Sequence, residues 1–305
     1  MYDFANSGYT TVVITAVFSA YFVGAVAQQA PWATFAWTAA LSVSYFMILV
    51  TAPLIGAWAD AHAAKKRLLL YSTVGCVLAT AALWFAVPGA VVGALVLVVV
   101  SNYFFGAGEN LIAAFLPELA DSKAMGRVSG WGWAFGYLGG LCALALCLAY
   151  ISAAKGRPAS EFVPVTMLIT AAVFAIASLP TFIFLKERAQ PAVGAADVMR
   201  SAFGRLADTL GHARRHADLW RFLVCVVFYQ AGIQTVVALA AVYAQEVMKF
   251  TTRDTLILIL VVNITAALGA FAFGHVQDRI GHVKTLVITL IGWLIAVVVA
   301  WTAES

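Results

Sequence analysis

Nine uninterrupted apolar runs, each about 17 to 25 residues long, constrain this chain more than anything else in it. They extend from Tyr9 to Ala27, Phe35 to Ala57, Leu68 to Val87, Ala94 to Leu116, Val128 to Ile151, Pro164 to Leu185, Phe222 to Tyr243, Leu256 to Phe273 and Thr285 to Thr302. A helix rising about 1.5 Å per residue needs roughly 20 residues to cross a hydrocarbon core of about 30 Å. Lipid offers the backbone no hydrogen-bond partner, so runs of this length must be helical. A membrane barrel would instead show alternating segments of about 10 residues. The sequence therefore predicts an all-α integral membrane bundle with nine transmembrane helices. Only 10% of the 305 residues are charged, against about 25% in soluble domains, so the solvent for this fold is lipid.

Loop charges give the bundle a direction. Fourteen of the 18 Lys and Arg residues fall in the loops before spans 3, 5, 7 and 9, leaving Lys155, Arg157, Lys249 and Arg253 on the other side. Basic loops stay on the cytoplasmic side, which predicts a cytoplasmic N-terminus in a multi-pass protein of an inner or plasma membrane. The same bias accounts for the net charge of +4 without a nucleic-acid partner. Met1-Tyr2-Asp3 carries no basic residue and no small-residue cleavage site follows the first run, so no removable leader is expected. Cys76, Cys142, Cys147 and Cys225 all sit inside spans and suggest neither disulfides nor a zinc site.

Six spans in residues 1–185 precede a polar stretch, 186–221, and three follow it in 222–305. Within that stretch Met199, Phe203, Leu206, Leu210 and Ala213 recur at helical spacing among Arg200, Arg205, Asp208, Arg214 and Arg215. An amphipathic helix along the inner membrane surface is expected, a mobile charged linker being the alternative. The loops after spans 2 and 8 repeat one another. Gly56 and Asp60 are followed by Lys65, Lys66 and Arg67, and Gly274 and Asp278 by Arg279, Gly281 and Lys284. Each loop places a small residue where two helices can approach closely. One turn later it places a carboxylate that can accept from a neighbouring helix N-terminus.

These paired loops resemble the gate motif of the major facilitator superfamily. The first copy departs from it, with Ala63 and Ala64 where the superfamily usually places glycine and a basic residue. Two further stretches are similar to the vacuole-effluxer-like branch. They are Tyr2 to Ser7, and Phe115-Leu116-Pro117-Glu118 continuing through Arg127, Gly132 and Gly136 to Gly140. Span 7 echoes that branch from Tyr229 to Val236, with Gln230-Ala231 where the family tends to show Asn-Asp. The resemblance implies a major-facilitator-type bundle, alternating access, and efflux of small polar metabolites such as amino acids. It also implies twelve spans, so a further C-terminal piece is expected beyond Ser305, a natural nine-span protein being the alternative. It implies a gate built from Gly56, Asp60, Lys65, Lys66, Arg67, Glu118, Arg127, Gly274, Asp278, Arg279, Gly281 and Lys284, with Asp278 beside the start of span 5 and Asp60 capping an eleventh span.

Gly132, Gly136 and Gly140 on span 5, and Ala266, Ala270 and Gly274 on span 8, recur every fourth residue, which predicts that these two grooves pack together. Glu109 is the one clear ionisable group inside a span, about 12 Å along the helix from Pro117, with Asn102 on its face and Asn110 beside it. It could hold a substrate ammonium or a proton; the alternative is a carboxyl tied to a neighbouring helix or reaching the interface. Asp3, Glu118 and Glu246, at span ends, are expected to be solvated. Spans 1, 4 and 7 line the cavity in the superfamily, so Asn6, Tyr9, Thr10, Asn102, Glu109, Asn110, Gln230 and Gln234 form the pool of substrate contacts, each equally readable as a helix-packing group. Most of the nine tryptophans lie near span ends, as an interfacial belt does.

No Gly-Lys dipeptide exists to build a phosphate loop, and no soluble segment could hold a nucleotide, so no ATP-driven pump is encoded here. All five histidines lie in loops, and no H-E-x-x-H occurs, so no enzyme, metal or cofactor is expected. The rival to a transporter is a non-transporting binding or scaffold protein, or an inactive fragment of a transporter.

Overall fold

The computed structural model describes residues 1–121, 123–154, 156–188, 202–246, 248 and 252–302, except the side chains of 202–203, 205–206, 209, 237–246 and 252–256. Among the sequence expectations, Lys155, Met199, Arg200 and Lys249, and the side chains of Phe203, Arg205, Leu206, Glu246 and Arg253, lie outside the described residues. Within them, nine helices are long and apolar enough to cross a membrane. They are span 1 (Tyr2–Val26), span 2 (Ala33–His62), span 3 (Lys65–Phe85), span 4 (Val91–Leu119), span 5 (Met125–Ala153), span 6 (Ala159–Phe184), span 7 (Ala217–Val236), span 8 (Ile257–Ile280) and span 9 (His282–Thr302). A linker helix, Ala202–Arg215, lies between spans 6 and 7.

Several ends differ from those read in the sequence, for local reasons. Span 1 starts seven residues earlier than Tyr9 because the polar residues of its first two turns are used within the bundle. Tyr2 donates to or accepts from Thr73 at 2.9 Å, and Ser7 Oγ donates to the Asp3 carbonyl at 2.7 Å. The same span loosens into π-helical turns at Thr10–Ala16 and Phe22–Val26. Span 2 continues five residues beyond Ala57 and stops where Ala63 takes a left-handed conformation, φ 48°.

Spans 1 to 6 form one bundle whose interior is filled by Tyr9, Phe18, Phe22, Phe115, Phe174, Leu69 and Met167, all fully buried or nearly so. Hydrocarbon gives helices no hydrophobic reason to associate, so close contact and interhelical hydrogen bonds hold them. Glycines provide the close contact. A side chain at Gly139 would run into the Phe4 carbonyl, and one at Gly8 would lie 2.8 Å from the Ala143 methyl. Hydroxyls and amides provide the bonds, Tyr9 to Ser101 at 2.8 Å and Asn102 to Ser44 at 2.6 Å, each contributing about 0.6 kcal/mol and at most about 1.7. Span 8 is joined to this bundle along span 5, the most extensive helix pair among the described residues.

Candidate functional site

At the end of span 5 nearest the loop after span 8, Asp278 accepts the backbone N–H of Gly126 at 3.0 Å and of Arg127 at 2.9 Å. The first N–H groups of a helix have no partner inside it and carry partial positive charge, so a carboxylate there satisfies both needs. The acceptor arrives because two small residues let the helices touch: a Cβ on Gly130 would lie 2.5 Å from the Ala270 carbonyl, and Gly274 meets Gly126 and Gly130 with the same closeness. Gly281, at φ +89°, then reverses the chain into span 9.

The glycine row read in the sequence is not the one that meets span 8. Gly132, Gly136 and Gly140 face span 1, against Asp3, Ser7 and Thr11, while Gly126 and Gly130 face span 8. Ala266, expected in the same groove, is half-buried, whereas Ala267 is buried and Ala270 and Gly274 supply the close approach. Both rows repeat every fourth residue, and two such rows on one helix lie on different sides of it. Spacing therefore identified the helix pair but not the face.

The first motif copy is built differently. A Cβ on Gly56 would meet nothing within 4 Å, and a cavity of about 160 Å³ lined by Gly56, Asp60, Lys65 and Asn110 lies beside it. Asp60, 70% exposed at its side chain, lies 3.4 Å from Lys65, whose ammonium also reaches Glu118 at 3.1 Å. Glu118 is thus 17% exposed and ion-paired rather than solvated as expected. Lys66 donates to the Leu185 carbonyl at 2.6 Å, while Arg67, Arg279 and Lys284 are exposed. Arg127 lies over the Trp131 ring, 5.7 Å from its centre.

Glu187 was not read from the sequence, yet it is the carboxylate that caps span 3, accepting the N–H groups of Lys65 at 2.6 Å and Lys66 at 3.2 Å. Nearby, the Arg188 N–H donates to Glu118. The usable signal was a vacancy. Span 3 begins after Ala64, which cannot cap it, so an acceptor had to come from elsewhere in the chain.

The pool of substrate contacts divides. Tyr9 is fully buried, stacked on Phe105 at 5.0 Å and bonded to Ser101, and Asn102 is 1% exposed and bonded to Ser44, so both hold helices together. Gln230 and Gln234 are exposed on span 7, away from the six-span bundle's core. Thr10 donates to the Ser7 carbonyl, and Asn110 lines the cavity beside Gly56. Asn6 is 3% exposed. One turn before it, on the same side of the helix, Asp3 is half-buried rather than solvated, pressed against Gly132. Glu109 is exposed.

Nine candidate spans, with span 8 joined to span 5 by a carboxylate on a helix N-terminus, fit the helix bundle of a major-facilitator-type transporter. A family model described as vacuole effluxer Atg22 like matches residues 19–303, and the chain belongs to that family. It is also 26% identical, over its whole length and 72% of the relative's, to an uncharacterised transporter of the major facilitator type, YxiO, from Bacillus subtilis (strain 168). No solved structure matches the chain.

Proposed function

We propose that this chain serves a secondary transporter that exports a small polar solute carrying an ammonium group, such as an amino acid, by alternating access. The carrying observation is the pair of carboxyls on spans 1 and 4. Glu109 lies inside span 4 and Asp3 in the first turn of span 1, and neither forms an ion pair with Lys or Arg among the described residues. An uncompensated carboxyl at membrane depth is unfavourable unless a cation or proton reaches it. A substrate ammonium and a transported proton are the two species that would satisfy the site in turn. Asn6, one turn along span 1 from Asp3, supplies a neutral donor and acceptor on that side of the helix.

The gate in this reading is the Asp278 cap on span 5, made in one conformation and released in the other, with Asp60, Lys65 and Glu118 forming its counterpart. The distribution of Lys and Arg supports a cytoplasmic N-terminus and a place in an inner or plasma membrane.

The test is transport of labelled amino acids by the full-length protein in vesicles bearing an imposed pH gradient. The gradient is expected to change the rate, and Glu109→Gln to abolish that response. A variant that retains the wild-type response to pH removes Glu109 from the mechanism, and failure of every ammonium-bearing solute to move removes the substrate class.

A further inference from the structure

We propose that the elbow between the linker helix and span 7 is a docking site for the phosphate of an anionic phospholipid headgroup. The linker helix ends in His212, Arg214 and Arg215, and span 7 starts two residues later at Ala217. The turn between them is closed by the His216 N–H on the Ala213 carbonyl at 3.1 Å, followed by the Trp220 N–H on the His216 carbonyl at 3.0 Å. Ala213 is buried, and the linker helix touches span 2, so the elbow is held against the bundle.

Its cations are unequal in their partners. Arg221 lies 3.6 Å from Asp218. Arg214 and Arg215 are exposed and have no carboxylate within 4 Å among the described residues. Arg214 is nonetheless held in place, its guanidinium over the Trp220 ring at 4.9 Å. A guanidinium stacked on an aromatic face still presents its edge donors, and that planar fork matches a phosphate. Arg215, exposed at the next position, adds a second guanidinium at the same end of the linker helix.

What surrounds the cations identifies which anion. Leu210, Leu219 and Phe222 are between 43% and 47% exposed in the turns either side of Arg214 and Arg215. A soluble acidic partner would leave those side chains in water. Span 7 enters the bilayer from Ala217, which puts them among acyl chains and lifts the guanidiniums to headgroup depth, with Trp220 at the interface where tryptophan is favoured. The ligand is therefore a lipid phosphate of net negative charge.

The test is native mass spectrometry of the full-length protein released from detergent containing equal amounts of phosphatidylglycerol and phosphatidylcholine. The wild type is expected to retain phosphatidylglycerol in preference. R214Q/R215Q is expected to reduce that retention by about tenfold and to leave phosphatidylcholine unchanged, while R214K/R215K keeps most of it. R157Q, which removes an exposed guanidinium elsewhere, is expected to match the wild type. Undiminished phosphatidylglycerol in R214Q/R215Q overturns the site, as does an equal loss of both lipids. Displacement of the lipid by excess inorganic phosphate overturns the lipid assignment.

Discussion

Single carboxylates do more in this molecule than the frequency of charge suggests, because each sits where a helix would otherwise end unsatisfied. Glu187 takes two N–H groups of span 3, and Asp278 takes two of span 5. A hydrogen bond to a charged group contributes about 1.5–3 kcal/mol, more than a neutral one. Glu187→Gln is therefore expected to lower stability by about 1–2 kcal/mol, seen as a lower midpoint of thermal unfolding in detergent, with Glu187→Asp intermediate because the shorter side chain reaches less well. An unchanged midpoint in Glu187→Gln would mean that the cap has no energetic weight. For Asp278→Asn the same loss is expected at the contact between spans 5 and 8. Since the proposed gate forms there, its transport rate should fall more than its stability does. The measurement is initial rate against midpoint for both variants, and equal effects on rate in the two would argue against a gating role for Asp278.

At the scale of elements, close approach is what holds spans 1, 5 and 8 together, and it can be tested at single glycines. A methyl on Gly130 would press on the backbone of span 8, and one on Gly139 on the backbone of span 1. Backbone cannot swing aside as a side chain can, so Gly130→Ala and Gly139→Ala are each expected to destabilise the protein by about 1–3 kcal/mol. Gly56→Ala, with nothing within 4 Å, is expected to leave the unfolding midpoint where it is. These three positions also show what the sequence could and could not reveal. That spans 5 and 8 meet was legible in the spacing of small residues and in the repeated Gly-x-x-x-Asp loops. Which glycines meet span 8 was not, because rotating a helix by a fraction of a turn exchanges Gly132 for Gly130 without changing any pattern. Tyr9 and Asn102 were left between two readings for a related reason. Their side chains read equally well as cavity groups or as interhelical bonds, and only the positions of Ser101 and Ser44 decide between them. Glu187 was hidden because its partners lie over 120 residues away in the chain.

For the molecule as a whole, the proposed alternating access puts motion of one half against the other at the joint between spans 5 and 8, the most extensive helix pair among the described residues and the one that carries the Asp278 cap. Rigid-body motion of repeats about such a joint is how transporters of this architecture alternate. Holding the joint shut should therefore stop transport without touching the solute site. A Cβ at Gly126 would lie 2.6 Å from Asp278 Oδ1, so that carboxylate must shift, and 3.2 Å from the Gln277 Cβ, close to the separation of about 3.5–4.5 Å that a disulfide spans. In a background with the exposed Cys142 and Cys225 replaced by Ser, Gly126→Cys combined with Gln277→Cys is expected to cross-link under mild oxidant. Transport in vesicles should fall to background on oxidation and return on reduction. Each single-cysteine variant should be insensitive to either reagent, which separates the effect of the bond from that of the substitutions. Full transport by the cross-linked protein would mean that spans 5 and 8 stay together throughout the cycle. The moving surface would then lie elsewhere, and the Asp278 cap would be a permanent joint between the repeats.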